Sequence, residues 1–140
     1  GRTTPTPTTP AFIPIETDTL CYATTETAKN EGRVSRNVEV STIAGQYKLI
    51  DESDENGKPI YELTGCGTTA YIKYVSYYSL FMVVTDVNDG RNTYVTWCTN
   101  TDEITDNDIL KCEWTSDEYS VMTNNLVSCS CGQTVPDDIP

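Results

Sequence analysis

The chain has 140 residues, of which 21 are Asp or Glu and 9 are Lys or Arg, so its formal net charge is −12. This length suits one domain with its own hydrophobic core. The acidity excludes nucleic acid as a partner, because phosphates would repel this surface, and no apolar run is long enough for membrane insertion.

Residues 1–10 form a Thr/Pro-rich arm. Pro5, Pro7 and Pro10 alternate with threonines, a composition that favours extended polyproline II and offers no apolar face to bury. The sequence has no Asn-x-Ser/Thr sequon, so covalent glycans would be O-linked. The candidate glycosylation sites are Thr3, Thr4, Thr6, Thr8 and Thr9. The alternative is an unmodified, disordered tail, since composition alone does not show glycosylation.

Residues 11–16 follow the arm as a short apolar segment, which we predict to be a donor strand. Its candidate assembly residues are Ala11, Phe12, Ile13, Pro14 and Ile15. Proline has no backbone N–H to give to a ladder, so this strand should lie at the edge of a sheet.

Residues 17–133 are predicted to form one β-domain, and residues 134–140 an acidic tail. Apolar runs and period-two alternation predict strands at residues 17–22, 36–42, 47–49, 60–64, 71–85, 92–99, 110–114 and 126–131. The 71–85 run exceeds an ordinary strand and should be two strands broken near residues 76–79. Thr115 and Glu118 are spaced like a capping box and predict a short helix ending near residue 124.

The predicted fold is therefore all-β, a mostly antiparallel sandwich or partly open barrel with at most one or two short helices. Six cysteines are expected to form three disulfides in an oxidising compartment, each contributing about 2–4 kcal/mol. They are Cys21, Cys66, Cys98, Cys112, Cys129 and Cys131.

Cys98 and Cys112 flank one polar segment and form the first predicted disulfide. This leaves Cys21 and Cys66 for the two cysteines near the C-terminus, in either pairing. A metal site formed by Cys112, Cys129 and Cys131 is the alternative. It lacks the C-x-x-C spacing of common zinc sites, and the chain has no histidine. We therefore expect no metal and no cofactor.

The acidic loop at residues 51–59 approximates the first half of an EF-hand at Glu52, Asp54, Asn56 and Gly57. The twelfth position of such a loop would be Leu63 instead of a bidentate Glu. A solvated hairpin turn is therefore favoured over a calcium site.

Catalysis has little support in this sequence. Without histidine, Ser-His-Asp and Cys-His nucleophile systems are excluded. Two carboxylates would suffice for a glycosidase, but the acidic residues cluster in turn-rich loops. The many tyrosines suggest a sugar-binding platform, yet a buried ring with its hydroxyl in water is the more common arrangement in such sheets. We expect a protein that is not an enzyme.

The arm, the apolar segment and the disulfide-rich β-domain together resemble protomers of extracellular glycosylated fibrils built by N-terminal strand donation. The resemblance implies a secreted structural subunit whose partners are copies of itself, arranged head to tail. It carries over no catalytic or ligand-binding residue. The sequence does not begin with Met and contains no signal-like apolar run, so we expect a mature secreted product whose leader has been removed.

The alternative is a small-ligand-binding domain that resembles secreted lipocalins. Its length, disulfides and Thr85-Asp86 after an apolar strand fit that family. The expected Gly-x-Trp near the first strand is absent, because the two tryptophans are Trp97 and Trp114, and Val87 stands where the family often has Tyr.

Overall fold

The computed structural model describes residues 19–30, 34–35, 38–105, 108–116, 119–120, 122, 126 and 129–136. The predicted arm at residues 1–10 and the predicted donor strand at residues 11–16 lie outside these ranges, as do residues 137–140 of the predicted tail.

Short strands make up most of the described secondary structure. The strands are β1 (Thr19–Tyr22), β2 (Thr24–Thr25), β3 (Val34–Ser35), β4 (Val38–Glu39), β5 (Gly45–Asp51), β6 (Ile60–Thr64), β7 (Tyr71–Val75), β8 (Leu80–Val84), β9 (Tyr94–Cys98), β10 (Trp114–Ser116), β11 (Tyr119–Ser120) and β12 (Thr134–Val135). The helices are α1 (Glu26–Asn30) and α2 (Gly90–Thr93), with 3-10 turns at Val40–Ile43, Thr101–Glu103 and Ile109–Lys111.

Eight strands form one antiparallel sheet in the order β1-β5-β6-β7-β8-β9-β10-β11. This order follows the chain, apart from the β2–β4 and α1 segment inserted between β1 and β5. The two ends of the sheet approach each other at a seam, where Thr24 bridges Met122 and the Leu126 N–H donates to the Cys21 carbonyl at 2.9 Å. The sheet is a curled, partly open barrel, so the predicted fold class is confirmed.

The core lies on the inner face of the curled sheet. Tyr22, Tyr47, Phe81 and Trp114 are the largest side chains that are fully buried there. Strand β8 is apolar on both faces: alternate residues join the inner core, while Met82 and Val84 join a second, outer cluster. Strand β8 therefore has apolar layers on both sides, which explains its nearly continuous hydrophobic sequence.

The central hairpin was predicted correctly. The 71–85 run forms β7 and β8, and the four-residue turn at residues 76–79 separates them. The predicted strand at residues 60–64 is β6. The strand predicted at residues 92–99 is β9 from Tyr94 onward, whereas residues 92 and 93 belong to α2. The described residues contain two short helices, within the predicted upper limit, although neither lies where a helix was predicted.

The predicted strand at residues 36–42 is wrong in its second half. The chain leaves the extended conformation after Glu39 and turns through the 3-10 helix Val40–Ile43. Val40 and Ile43 are both buried, and the Thr42 hydroxyl donates to the Glu39 carbonyl at 2.6 Å. The three-residue spacing of Val40 and Ile43 therefore buries both side chains within one turn. Strand β5 follows this turn and pairs with β1 and β6.

The strand predicted at residues 110–114 is also wrong. Residues Ile109–Lys111 form a 3-10 turn, in which the Asp108 side chain accepts from the Leu110 N–H. Strand β10 begins at Trp114, where the helix from Thr115 was expected. Pairing with β9 overrides the capping-box pattern, because Trp114 lies opposite Cys98 and the Thr115 carbonyl accepts from the Thr96 hydroxyl.

The described residues of the predicted 126–131 strand lie outside any strand. Cys129 and Cys131 are each held by a disulfide, and Gly132 follows with φ +75°. The next strand is β12, at the start of the predicted acidic tail, and it pairs in parallel with β2. Residues 134 and 135 therefore belong to the domain.

Candidate functional site

Three disulfides hold the domain, and the predicted Cys98–Cys112 pair is confirmed. The other two bridges are Cys21–Cys129 and Cys66–Cys131. Disulfides of this kind are typical of proteins from oxidising compartments.

Strand β1 is the point at which the N-terminal segment enters the domain. It begins at Thr19, three residues after the end of the predicted donor segment at residues 11–16. β1 is also a terminal strand of the eight-stranded sheet. The candidate donor residues (Ala11, Phe12, Ile13, Pro14 and Ile15) and glycosylation sites (Thr3, Thr4, Thr6, Thr8 and Thr9) themselves lie outside the described residues.

The seam beside β1 is closed at one end. The Cys21–Cys129 disulfide and the Leu126 N–H bond reach β1 near its C-terminal half. Among the described residues, no strand pairs along the rest of β1 on that side. In general, a terminal strand with unpaired backbone groups is a place where an extended segment can add.

The outer face of the sheet carries four aromatic rings in a row. We call Tyr77, Tyr78, Tyr94 and Trp97 the aromatic ladder. Successive ring centroids are 4.8, 5.4 and 6.0 Å apart, and each pair is edge to face. Tyr77 is 60% exposed and Tyr78 is 37% exposed, so one end of the ladder faces solvent.

The turn between β7 and β8 presents the exposed end of the ladder. The Val75 carbonyl accepts from the N–H groups of Tyr78 and Ser79, at 3.1 and 2.9 Å, and Ser79 adopts φ +60°. The Arg91 guanidinium lies 3.8 Å from the centroid of the Tyr77 ring. The Tyr78 hydroxyl donates to the Arg91 carbonyl at 3.3 Å. Helix α2 therefore fixes both tyrosines.

The outer apolar cluster supports the ladder from below. Val75, Met82 and Val84 are buried in this cluster. Helix α2 packs closely on it, because a Cβ atom at Gly90 would lie 3.0 Å from Val75 Cγ2. The ladder is thus held on packed secondary structure.

The sequence interpretation of the tyrosines, a buried ring with its hydroxyl in water, does not describe Tyr77 and Tyr78, whose rings are exposed. Nor does it describe Tyr22 and Tyr47, which are buried entirely. The sequence feature that indicates exposure of Tyr77 and Tyr78 is their position in the predicted turn between two apolar strands.

Among the described residues, the buried Tyr22 hydroxyl and Trp114 Nε1 make no hydrogen bond of normal geometry, although Trp114 lies close enough to Tyr22 to oppose part of the rise in its pKa. Burial raises the pKa of both Tyr22 and Tyr47 above the ordinary tyrosine value. Both side chains therefore remain neutral in the folded protein near neutral pH.

The acidic loop forms the predicted hairpin turn. Asp54 Oδ1 accepts from the N–H groups of Asn56 and Lys58, at 2.8 and 3.1 Å, and the Gly57 N–H donates to the Asp54 carbonyl. Within the described ranges, no group of three or more Cys, Asp or Glu side chains is placed to hold a metal ion.

An open cleft of about 220 Å³ lies beside the Cys66–Cys131 disulfide. Ser41, Thr42 and Thr68 supply hydroxyls to its lining, which contains no charged side chain. The described lining of this cleft therefore offers hydroxyl groups for hydrogen bonds.

None of the helices in the described part of the chain is long and apolar enough to cross a membrane. Comparison of the chain with protein-family models, curated proteins and solved structures finds no match.

Proposed function

We propose that the chain is a secreted structural subunit, with no catalytic role, that assembles head to tail into an extracellular filament through its N-terminal strand. The observation that carries this proposal is the position of β1. The predicted donor segment at residues 11–16 ends three residues before Thr19, the first residue of a terminal strand of the sheet. In the proposal, its apolar residues extend from that strand into a neighbouring copy.

The acceptor in this proposal is the open part of the seam beside β1 on the next subunit. An added strand would bond to the backbone of β1 along the part that no described strand covers. The donor segment and the seam are different surfaces, so the contact is heterologous. Repetition of such a contact gives a filament unless the rotation closes a ring.

Burial of the donor side chains supplies part of the association energy. Phe12, Ile13 and Ile15 together contribute about 5–9 kcal/mol, at roughly 1.5–3 kcal/mol for each side chain. Association itself costs roughly 4–15 kcal/mol. The donor strand therefore requires a further contact between subunits.

The three disulfides support secretion, since such bridges persist in oxidising compartments. O-linked glycans on the arm threonines would keep residues 1–10 extended and soluble. Intact mass measured before and after chemical release of O-linked sugars tests this part, and a mass equal to that of the bare chain contradicts it.

The assembly itself is tested by removal of residues 1–16. We expect a folded monomer by light scattering and no filaments by electron microscopy. In the full chain, Ile13→Asp should have the same effect, because a charge at the donor position cannot be buried without a partner. Ile50→Asp is the control and should still assemble, because Ile50 is exposed on β5, outside the arm and the donor segment. Filaments formed by the truncated chain, or by the Ile13→Asp chain, would contradict strand donation.

A lipocalin-like binder of small molecules is the second candidate, and the sheet order favours it. Eight strands follow one another in chain order, and the ends meet at the seam, as in an up-and-down barrel. Large buried side chains, including Tyr22 and Trp114, fill the interior and leave little room for a ligand. Native mass spectrometry of purified material tests this candidate: a stoichiometric small molecule on the monomer supports it.

A further inference from the structure

We propose that the aromatic ladder binds the Thr/Pro arm of a second copy of the chain as a polyproline II helix. The inference rests on the proposed self-assembly for the source of the arm, and it identifies the additional contact that strand donation requires.

The geometry of the ladder suits proline better than sugar. Successive rings meet at 90°, 74° and 76°, so the ladder presents ring edges and ring faces in turn instead of a flat platform. The Arg91 guanidinium covers one face of Tyr77, although a sugar would stack on such a face. Aromatic-lined grooves of this kind bind proline-rich segments in a preformed polyproline II conformation.

The spacing of the arm fits the spacing of the rings. Pro7 and Pro10 are three residues apart, which places them on one face of a polyproline II helix, roughly 9 Å from each other. Two successive steps of the ladder measure 4.8 and 5.4 Å. The separation of the two prolines is therefore close to two steps of the ladder.

Charge also favours this segment. Two copies that each carry a net charge of −12 repel one another. Residues 3–15 contain no charged side chain, so this stretch approaches another copy without that penalty. Among the charged groups near the ladder, Arg91 is already engaged with the Tyr77 ring.

The arm is long enough to reach the ladder from the seam. Trp97 lies on β9, which is two strands from β11 at the seam, a distance of roughly 10 Å at the usual strand spacing. A ten-residue polyproline II arm spans roughly 31 Å. A donor strand held in the seam of a neighbouring copy therefore brings the contiguous arm within reach of the ladder of that same copy.

The test is titration of the full chain with a synthetic, unglycosylated peptide of residues 1–10. Trp97 reports binding through its fluorescence, since the other tryptophan, Trp114, is buried. We expect saturable binding, weakened at least tenfold by Tyr77→Ala combined with Tyr78→Ala. Ile50→Ala is the control, because Ile50 is also exposed (51%) but lies on β5. A peptide with Pro7→Ala and Pro10→Ala should not bind.

Equal binding by the ladder variant and the control, or no binding at all, would overturn the inference. Binding by the glycosylated arm alone would also overturn it and indicate sugar recognition. Binding of an arm from a second copy depends on concentration. Trp97 fluorescence that matches the peptide-bound state without added peptide, and does not change on dilution, would therefore show that each arm binds its own domain, and would also overturn the inference. If the peptide binds but the chain lacking residues 1–16 still polymerises, the proposed function fails and the ladder assignment remains.

Discussion

The Tyr47 hydroxyl donates a hydrogen bond to the Ile43 carbonyl at 2.6 Å. It joins β5 to the 3-10 turn that precedes it, and both residues are fully buried. The neighbouring Tyr22 ring lies edge to face with Tyr47 at 5.9 Å, but no described residue makes a hydrogen bond of normal geometry with its buried hydroxyl. Two adjacent buried tyrosines therefore differ in whether the hydroxyl is satisfied.

This difference predicts opposite effects of removing the two hydroxyls. Tyr47→Phe should lower the free energy of unfolding by about 1–2 kcal/mol, because the buried Ile43 carbonyl loses its donor. Tyr22→Phe should leave stability unchanged or raise it by up to about 1 kcal/mol, since an unpaired hydroxyl leaves the core. Urea denaturation midpoints of the two variants measure both effects. Equal destabilisation by the two variants would contradict the assigned hydrogen bond.

The same two tyrosines predict a loss of stability at alkaline pH. Burial raises the pKa of Tyr22 and Tyr47 above the ordinary tyrosine value of 10.0, so the folded state holds protons that the unfolded state releases. Their contribution is complete below pH 10 and falls as the pH rises above it, by roughly 1.4 kcal/mol per pH unit for each tyrosine. Thermal unfolding between pH 8 and about 12 should show a shallower decline for the Tyr22→Phe, Tyr47→Phe double variant.

The control for this titration is Tyr77→Phe, which removes an exposed hydroxyl. Its stability should decline with pH in parallel with that of the unmodified chain. Parallel declines for all three proteins would show that the buried tyrosines do not set the alkaline limit.

The parts of the fold that the sequence predicted are those in which local and long-range signals agree. The β7–β8 hairpin has apolar strands on both sides of a serine-flanked turn at residues 76–79. Cys98 and Cys112 are close in sequence, and β9 and β10 pair directly next to them. For this hairpin and this disulfide, the local sequence pattern was sufficient to predict the structure.

The failures occur where a distant contact overrides a local pattern. Thr115 and Glu118 have the spacing of a helix start. Thr115 is nevertheless a strand residue, because it pairs with Trp97 of β9 in the antiparallel sheet. The aromatic ladder was missed for a related reason. Strand β8 is apolar on both faces, so periodicity could not show which neighbouring tyrosines face outward. Which tyrosines face outward depends on the curvature of the sheet, and a short stretch of sequence does not determine that curvature.

Gly45 predicts a sharp difference between two glycines with positive φ. Gly45 has φ +146°, and a Cβ atom there would lie 2.8 Å from Cys66 Sγ. Gly57 has φ +72° and open space around it. Gly57→Ala should cost about 1–2 kcal/mol from backbone strain alone. Gly45→Ala should cost more, about 2–4 kcal/mol, because the Cys66–Cys131 disulfide must also shift. Calorimetry of both variants measures the difference, and equal costs would contradict the close contact.

The Cys21–Cys129 disulfide predicts how the seam opens. This bridge links residues 108 positions apart, whereas Cys98–Cys112 spans 14 positions. On chain entropy alone, its removal should cost about 4.7 kcal/mol, compared with about 3 kcal/mol for the shorter loop.

Removal of the Cys21–Cys129 disulfide should increase hydrogen exchange more at the seam than in the centre of the sheet. The Leu126 N–H donates to Cys21 itself, so Cys21→Ser with Cys129→Ser should release this amide to fast hydrogen exchange while the amides of β8 remain protected. In the Cys98→Ser, Cys112→Ser variant, by contrast, the Leu126 amide should keep its protection from hydrogen exchange, measured against the amides of β8. Hydrogen exchange measured on both variants decides the point, and similar protection at Leu126 in the two would show that other contacts hold the seam.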